Sequence, residues 1–203
     1  MTKRMLLFIL INTSECLLML PIAEVFAQPL LLTVRHEDSQ VEFSIYKWAV
    51  FKEEGRFKDF EGTVAYDPSK PAATSVDFTI QAASIDSRNK DRDEALRSES
   101  FFHVEKYPTL AFKSVRATSL DASTIEIEGD LTIRGITKRM SMPVKVLGVN
   151  HTGGRMGTLV GFETTFIINR EDFKIGENWA IIGKEATIHL LIGAGNGPYT
   201  ARR

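Results

Sequence analysis

Cysteine is almost absent: Cys16 is the single one in 203 residues, and it lies near the N-terminus. The body of the chain therefore has no disulfide, thiolate metal site or cysteine nucleophile. Charge of one sign is missing too. Lys and Arg number 25 against 26 Asp and Glu, with no long run of either, for a net charge of -1. That balance excludes a nucleic-acid footprint and a polybasic membrane patch. No apolar run approaches the ~20 residues of a spanning helix. Catalytic signatures are absent as well. His36, His103, His151 and His189 are scattered, without metal-ligand spacing. There is no Gly-x-Ser-x-Gly elbow. Gly183-Lys184 is followed by Glu185, and Asn178 stands where a phosphate loop needs its first glycine. Asn150-His151-Thr152 matches a glycosylation sequon, a short match that is common by chance. No repeat or low-complexity linker divides the chain.

What is present begins with a leader. Lys3 and Arg4 precede apolar stretches at residues 5–11 and 16–20, which Asn12, Ser14 and Glu15 interrupt. Val25 and Ala27 occupy the two positions a signal peptidase reads, so residues 1–27 are expected to be a cleaved signal peptide and 28–203 one exported domain, periplasmic or secreted. Thr13, Ser14 and Glu15 before Cys16 do not suit a lipoprotein site. No membrane span is expected after cleavage.

Beyond residue 28 the dominant period is two. Ile125, Ile127, Gly129, Leu131 and Ile133 alternate with Glu126, Glu128, Asp130, Thr132 and Arg134, the mark of a strand with one apolar and one charged face. The alternation recurs at Val41, Phe43 and Ile45; at Val76, Phe78 and Ile80; at Leu110 and Phe112; at Met140, Met142, Val144 and Val146; at Val160, Phe162, Phe166 and Ile168; and at Ala186, Ile188, Leu190 and Ile192. With residues 57–66, about eight strands are counted. Asp67-Pro68, Pro71, Gly135, Gly148 and the glycines of 153–157 separate them. Parity slips between Ile45 and Trp48, which predicts a bulge near Tyr46 and Lys47. Residues 89–98 lack the period. Their early acids and late Arg97 predict a short helix. The fold class is all-β. Long antiparallel strands with one apolar face must stack or close, and eight of them favour an extended closed barrel, able to hold one elongated ligand.

Inward parity places Phe43 and Ile45, Phe78 and Ile80, Phe112, Ile127, Met142, and Phe162 and Phe166 on the interior. Such a set either fills a core or lines an apolar cavity, and periodicity does not separate the two. The charged cluster Asp86, Arg88, Asp91, Arg92, Asp93 and Glu94 reads as a solvated helix with local ion pairs, against the alternative of acid–base carboxylates at Asp91 and Asp93. No enzyme, metal or cofactor is expected.

Longer motifs carry a resemblance. Ala83-Ser84-Ile85-Asp86-Ser87, Arg92-Asp93, Leu96-Arg97-Ser98, Phe101-Phe102, Lys106-Tyr107-Pro108-Thr109 and Phe112-Lys113-Ser114 resemble the YceI-like family. So do Gly55-Arg56-Phe57, Gly62-Thr63-Val64, Gly129-Asp130-Leu131-Thr132-Ile133-Arg134-Gly135 and Asn169-Arg170-x-Asp172-Phe173. The likeness runs from about Leu32 to Ala194. It implies a lipocalin-like barrel, periplasmic, with a polyisoprenoid or isoprenoid quinone-like chain as bound ligand in the apolar pore. The nine interior residues would then be ligand-binding, and the segment 86–97 a clasp over the barrel held by Arg92 and Asp93. Two positions depart from the pattern: Tyr46-Lys47-Trp48 replaces a His-Leu-Gly, and Ala95 replaces a His. An interaction module with a filled barrel, docking an envelope partner through residues 46–48 or 153–157, stays open, as do a homodimer and an envelope redox partner.

Overall fold

The computed structural model describes residues 28–151 and 157–197. The leader, Thr152 of the sequon and most of the 153–157 loop lie outside them. The body is one antiparallel meander: β1 (Leu30–Lys47), β2 (Phe51–Phe57), β3 (Phe60–Tyr66), β4 (Ser75–Gln81), β5 (Ile85–Asp86), the helix α1 (Lys90–Arg97), β6 (Thr109–Ser119), β7 (Thr124–Ile133), β8 (Ile136–His151), β9 (Thr158–Asn169) and β10 (Ile182–Gly195). Each strand pairs with the next in the ring, and β10 returns to β1, so the sheet closes. β2 and β3 are two halves of one bent wall, since β1 pairs first with β3 through residues 30–33 and then with β2 through 41–47. A 3₁₀ turn at Ala82–Ser84 bends β4 into β5 in the same way. Ten segments thus make a closed barrel of eight walls, the architecture the alternation predicts.

The predicted bulge is present. The β1–β10 register shifts between Ile45 and Lys47, and again between Arg35 and Gln40. At the second shift Ser39 repairs the ladder: its Oγ donates to the Arg35 carbonyl at 2.6 Å and accepts from the Gly193 N–H at 3.0 Å. A third irregularity follows from proline. The β8–β9 ladder ends at Lys145 and Glu163, just before Pro143, which has no N–H to give. Thr164, a polar residue in an apolar series, donates its hydroxyl to the Pro143 carbonyl at 2.6 Å and ties the two walls there.

The two ends of the barrel are built differently. At one end Leu32, Val160 and Ala194 are fully buried, and Tyr66 packs edge-on against Phe162 with ring centroids 5.5 Å apart. The other end is covered by irregular chain: α1, the segment after it, and residues 170–181. Chain without a ladder must satisfy its carbonyls by other means. For the stretch before and into β10 one side chain does this. Arg170, buried, donates to the carbonyls of Ile175 and Gly176 at 2.6 Å, Gly183 at 2.8 Å, Ile182 at 2.9 Å and Trp179 at 3.3 Å. Arg134, in the tight β7–β8 turn with Gly135, reaches the carbonyls of Lys174 and Glu99 and joins the two covering segments.

Arg170→Ala is expected to destabilise the protein by about 3 kcal/mol or more, because five carbonyls lose a charged donor at once, and only those of Gly176 and Trp179 keep a loop N–H from Trp179 and Ile182. Thermal denaturation should show a melting point lower by about 6–12 °C. A shift within error would mean that water replaces the guanidinium without cost.

Candidate ligand cavity

Inside the closed barrel lies a cavity of about 630 Å³, within the range of small-molecule sites. All nine residues placed inward by parity line it: Phe43 and Ile45 from β1, Phe78 and Ile80 from β4, Phe112 from β6, Ile127 from β7, Met142 from β8, and Phe162 and Phe166 from β9. The wall is apolar along most of its length because each strand turns alternate side chains inward and these are Val, Ile, Leu and Phe.

Why the barrel is hollow, despite so many aromatics, is seen at three glycines. The far edge of the Phe43 ring occupies the place a Cβ of Gly55 would take, 2.4 Å from Cζ. Phe78 lies over Gly62 in the same way, with Cδ2 2.6 Å from the absent Cβ, and Phe112 over Gly129 at 2.4 Å. Each glycine is on the neighbouring strand, so the ring rests across the wall rather than pointing to the axis. The missing side chain leaves room for this.

The segment expected to act as a clasp covers one end. Asn89 caps α1 by accepting from the Arg92 N–H at 3.0 Å, and Asp91, Asp93 and Arg97 stand at the favourable ends of the helix dipole. Asp93 is buried and accepts from the Ser87 N–H at 2.7 Å and the Ser87 hydroxyl at 2.5 Å. Arg92 donates to the Ser87 hydroxyl at 2.8 Å and carbonyl at 2.7 Å, and pairs with Glu53 on β2. Arg97 donates to the carbonyls of Ala83 and Ile85 at 2.8 and 2.7 Å. Asp86, beside this network, is held down to a pKa of about 2, chiefly by the Lys58 ammonium at 2.7 Å and also by the Arg88 N–H. Asp86 and Asp93 are thus engaged as acceptors within the protein.

At this covered end Lys47, Glu53, Ser87, Asn89, Asp91 and Arg92 border the cavity beside Ala95 and Leu96, while Thr74 and Thr164 line it elsewhere. Both departures from the family pattern, Lys47 within residues 46–48 and Ala95, therefore fall on the rim. Parity does not reveal the irregular contributors, Phe101, Phe102, Ile175, Trp179 and Ile181. They lie outside the strands, and only their apolar character hinted at burial. His189 is on the outer face, 3.3 Å from Glu163. Among the described residues no group of His, Cys, Asp and Glu is arranged to hold a metal ion.

Fold and cavity together define a closed antiparallel barrel around an apolar interior space, closed by side chains at one end and covered by a helix and a loop at the other. A family model described as the YceI-like domain matches residues 32–194. The protein YceI of Escherichia coli O157:H7 is 37% identical over 149 residues, 72% of this chain and 74% of the relative, and that of Shigella flexneri matches equally. The chain belongs to the YceI-like family. Among solved structures, Burkholderia cenocepacia BcnA superposes with a TM-score of 0.71 at 27% identity, over 79% of this chain and 98% of that one. The Campylobacter jejuni YCEI protein gives 0.65 at 28%, over 71% and 85%. A polyisoprenoid binding domain from Saccharophagus degradans gives 0.63 at 12%, over 82% and 98%, a likeness of fold.

Arg92→Ala removes three contacts of the clasp and should lower the melting temperature by about 2–6 °C. An unchanged melting temperature would show that α1 is held by Asp93 and Arg97 without it.

Proposed function

We propose that this protein is an exported, non-catalytic carrier that holds one long apolar chain, a polyisoprenoid or isoprenoid quinone-like molecule, in its barrel, without a cofactor. The observation that carries this reading is the hollow interior: a closed barrel encloses about 630 Å³ behind an almost wholly apolar wall. Water gains little in such a space, while an apolar chain gains about 0.8 kcal/mol per buried CH₂. A five-carbon isoprene unit thus contributes roughly 3–4 kcal/mol gross. A few units suffice for tight binding after the cost of ordering the chain.

The polarity of the lining also supports the reading. The interior would take the hydrocarbon and the rim of Lys47, Asn89 and Arg92 a polar head group. The name of the Saccharophagus degradans neighbour is consistent with this choice of ligand. The expected leader and the family membership support a place in the periplasm. An interaction module built on a filled barrel needs a solid core, and the cavity weighs against it. Acid–base chemistry at Asp91 and Asp93 is weakened by the engagement of Asp93 with Ser87.

The direct test is organic extraction and mass spectrometry of protein purified from its native envelope. A stoichiometric long-chain isoprenoid is expected, lost in Phe112→Asp or Phe162→Asp protein that still folds. A clean extract, with no uptake of added isoprenoid quinone, would end the carrier reading.

Capacity has its own test. The three atoms nearest a Cβ at Gly55 all belong to the Phe43 ring, so Gly55→Ala should swing that ring into the lumen and leave the fold intact. Uptake of the longest chains should fall while short ones still bind. Equal uptake of both would show that the ring moves elsewhere.

A further inference from the structure

Exposed apolar side chains are unevenly spread over the barrel. Of eleven large hydrophobic residues exposed among the described residues, six belong to two short segments: Tyr46, Trp48, Val50 and Phe51 at the β1–β2 hairpin, and Trp179 and Ile181 before β10. The segments are joined, because the Trp48 N–H donates to the Ile181 carbonyl at 2.7 Å. Both tryptophans of the chain are here. The Trp48 and Phe51 rings meet edge-on at 6.2 Å, and the Lys47 ammonium stands 4.5 Å over the Trp48 ring.

The turn itself is unusual. Hairpin tips favour Asn, Asp and Gly, yet this one reads Trp48-Ala49-Val50, with Val50 71% exposed. Trp48 and Ala49 have φ of 50° and 57°, a left-handed conformation that is costly for residues with a Cβ. Strain held at an exposed apolar tip points to use of that tip. The tip is continuous with the cavity, since Lys47, Trp179 and Ile181 also line it.

We propose that this hairpin and the 179–181 segment dock on the surface of a lipid bilayer and bring the cavity rim to the head-group level. Trp and Tyr rings with an adjacent Lys are the side chains that settle in that layer. A narrow ridge of a few side chains suits shallow insertion better than a protein interface, which takes about 800 Å² per partner. The bilayer is also the phase in which long apolar chains reside, and the patch leads from it to the cavity. With a net charge of -1 and few cations at the tip, docking is apolar in origin.

The inference deepens the carrier reading and takes its purpose from it, but it is measured without isoprenoid, so the two fail separately. Protein purified as its cells make it is floated with phosphatidylcholine vesicles at low and high salt, and Trp fluorescence is followed. Co-flotation that survives high salt, with a blue shift of the emission, is expected. Val50→Glu/Phe51→Glu, at positions outside the cavity lining, should weaken binding about tenfold or more at an unchanged melting temperature. Leu120→Glu, exposed in the β6–β7 turn at the opposite end, should bind as the wild type does. If the double variant lost its fold, Val50→Glu alone carries the same expectation. Wild-type protein that does not float, or variants that float equally, overturn the proposal. A variant that only turns a dimer into a monomer in sedimentation assigns the patch to a second copy of the chain.

Discussion

The ladder between β1 and β10 closes the sheet, and the cavity depends on that closure. An antiparallel sheet with one apolar face exposes that face and two edges unless it curls on itself. β1 is the strand that makes curling work. Over 18 residues it pairs with β10 on one side and with β3 and then β2 on the other. Such a strand must coil, and its two register shifts against β10 supply the coil, one of them stabilised by Ser39. Once the ring is shut, every inward residue of eight walls faces the same enclosed space.

Enclosure does not by itself leave a hollow. Barrels of this size are commonly filled by their own side chains. Here the aromatics that would fill the axis lie across glycines of the neighbouring strand, Phe43 on Gly55, Phe78 on Gly62 and Phe112 on Gly129. The same rings that supply apolar surface are thereby kept out of the lumen. At the covered end, two arginines solve a different problem. Arg170 and Arg92 tie irregular chain to the barrel through backbone carbonyls, so that a loop and a helix can roof an apolar cavity; among the described residues Arg134 Nε is the buried side-chain atom left without a partner there.

The resulting space has a mostly apolar interior and a polar rim, and the proposed carrier uses both. The apolar tip beside the rim gives the proposed docking its place. The rim and the tip share one end of the molecule because β1 leads into the hairpin, β10 starts at Ile182 just after the segment that Trp48 bonds, and Arg92 ties α1 to Glu53 on β2.

Much of this was determined by the sequence alone. Alternation at residues 125–133 and its echoes set eight walls and assigned inward faces, because a period of two survives any closure of the sheet. The slip between Ile45 and Trp48 marked a bulge, and the acids and Arg97 marked α1, since both are local effects. The motifs identified the family. Only the tertiary structure decided that the interior is hollow, because that depends on which glycine lies beside which ring across strands far apart in sequence. It also decided the roles of Arg170, Trp179 and Ile181, which sit in aperiodic chain and meet their partners only when the ring has closed.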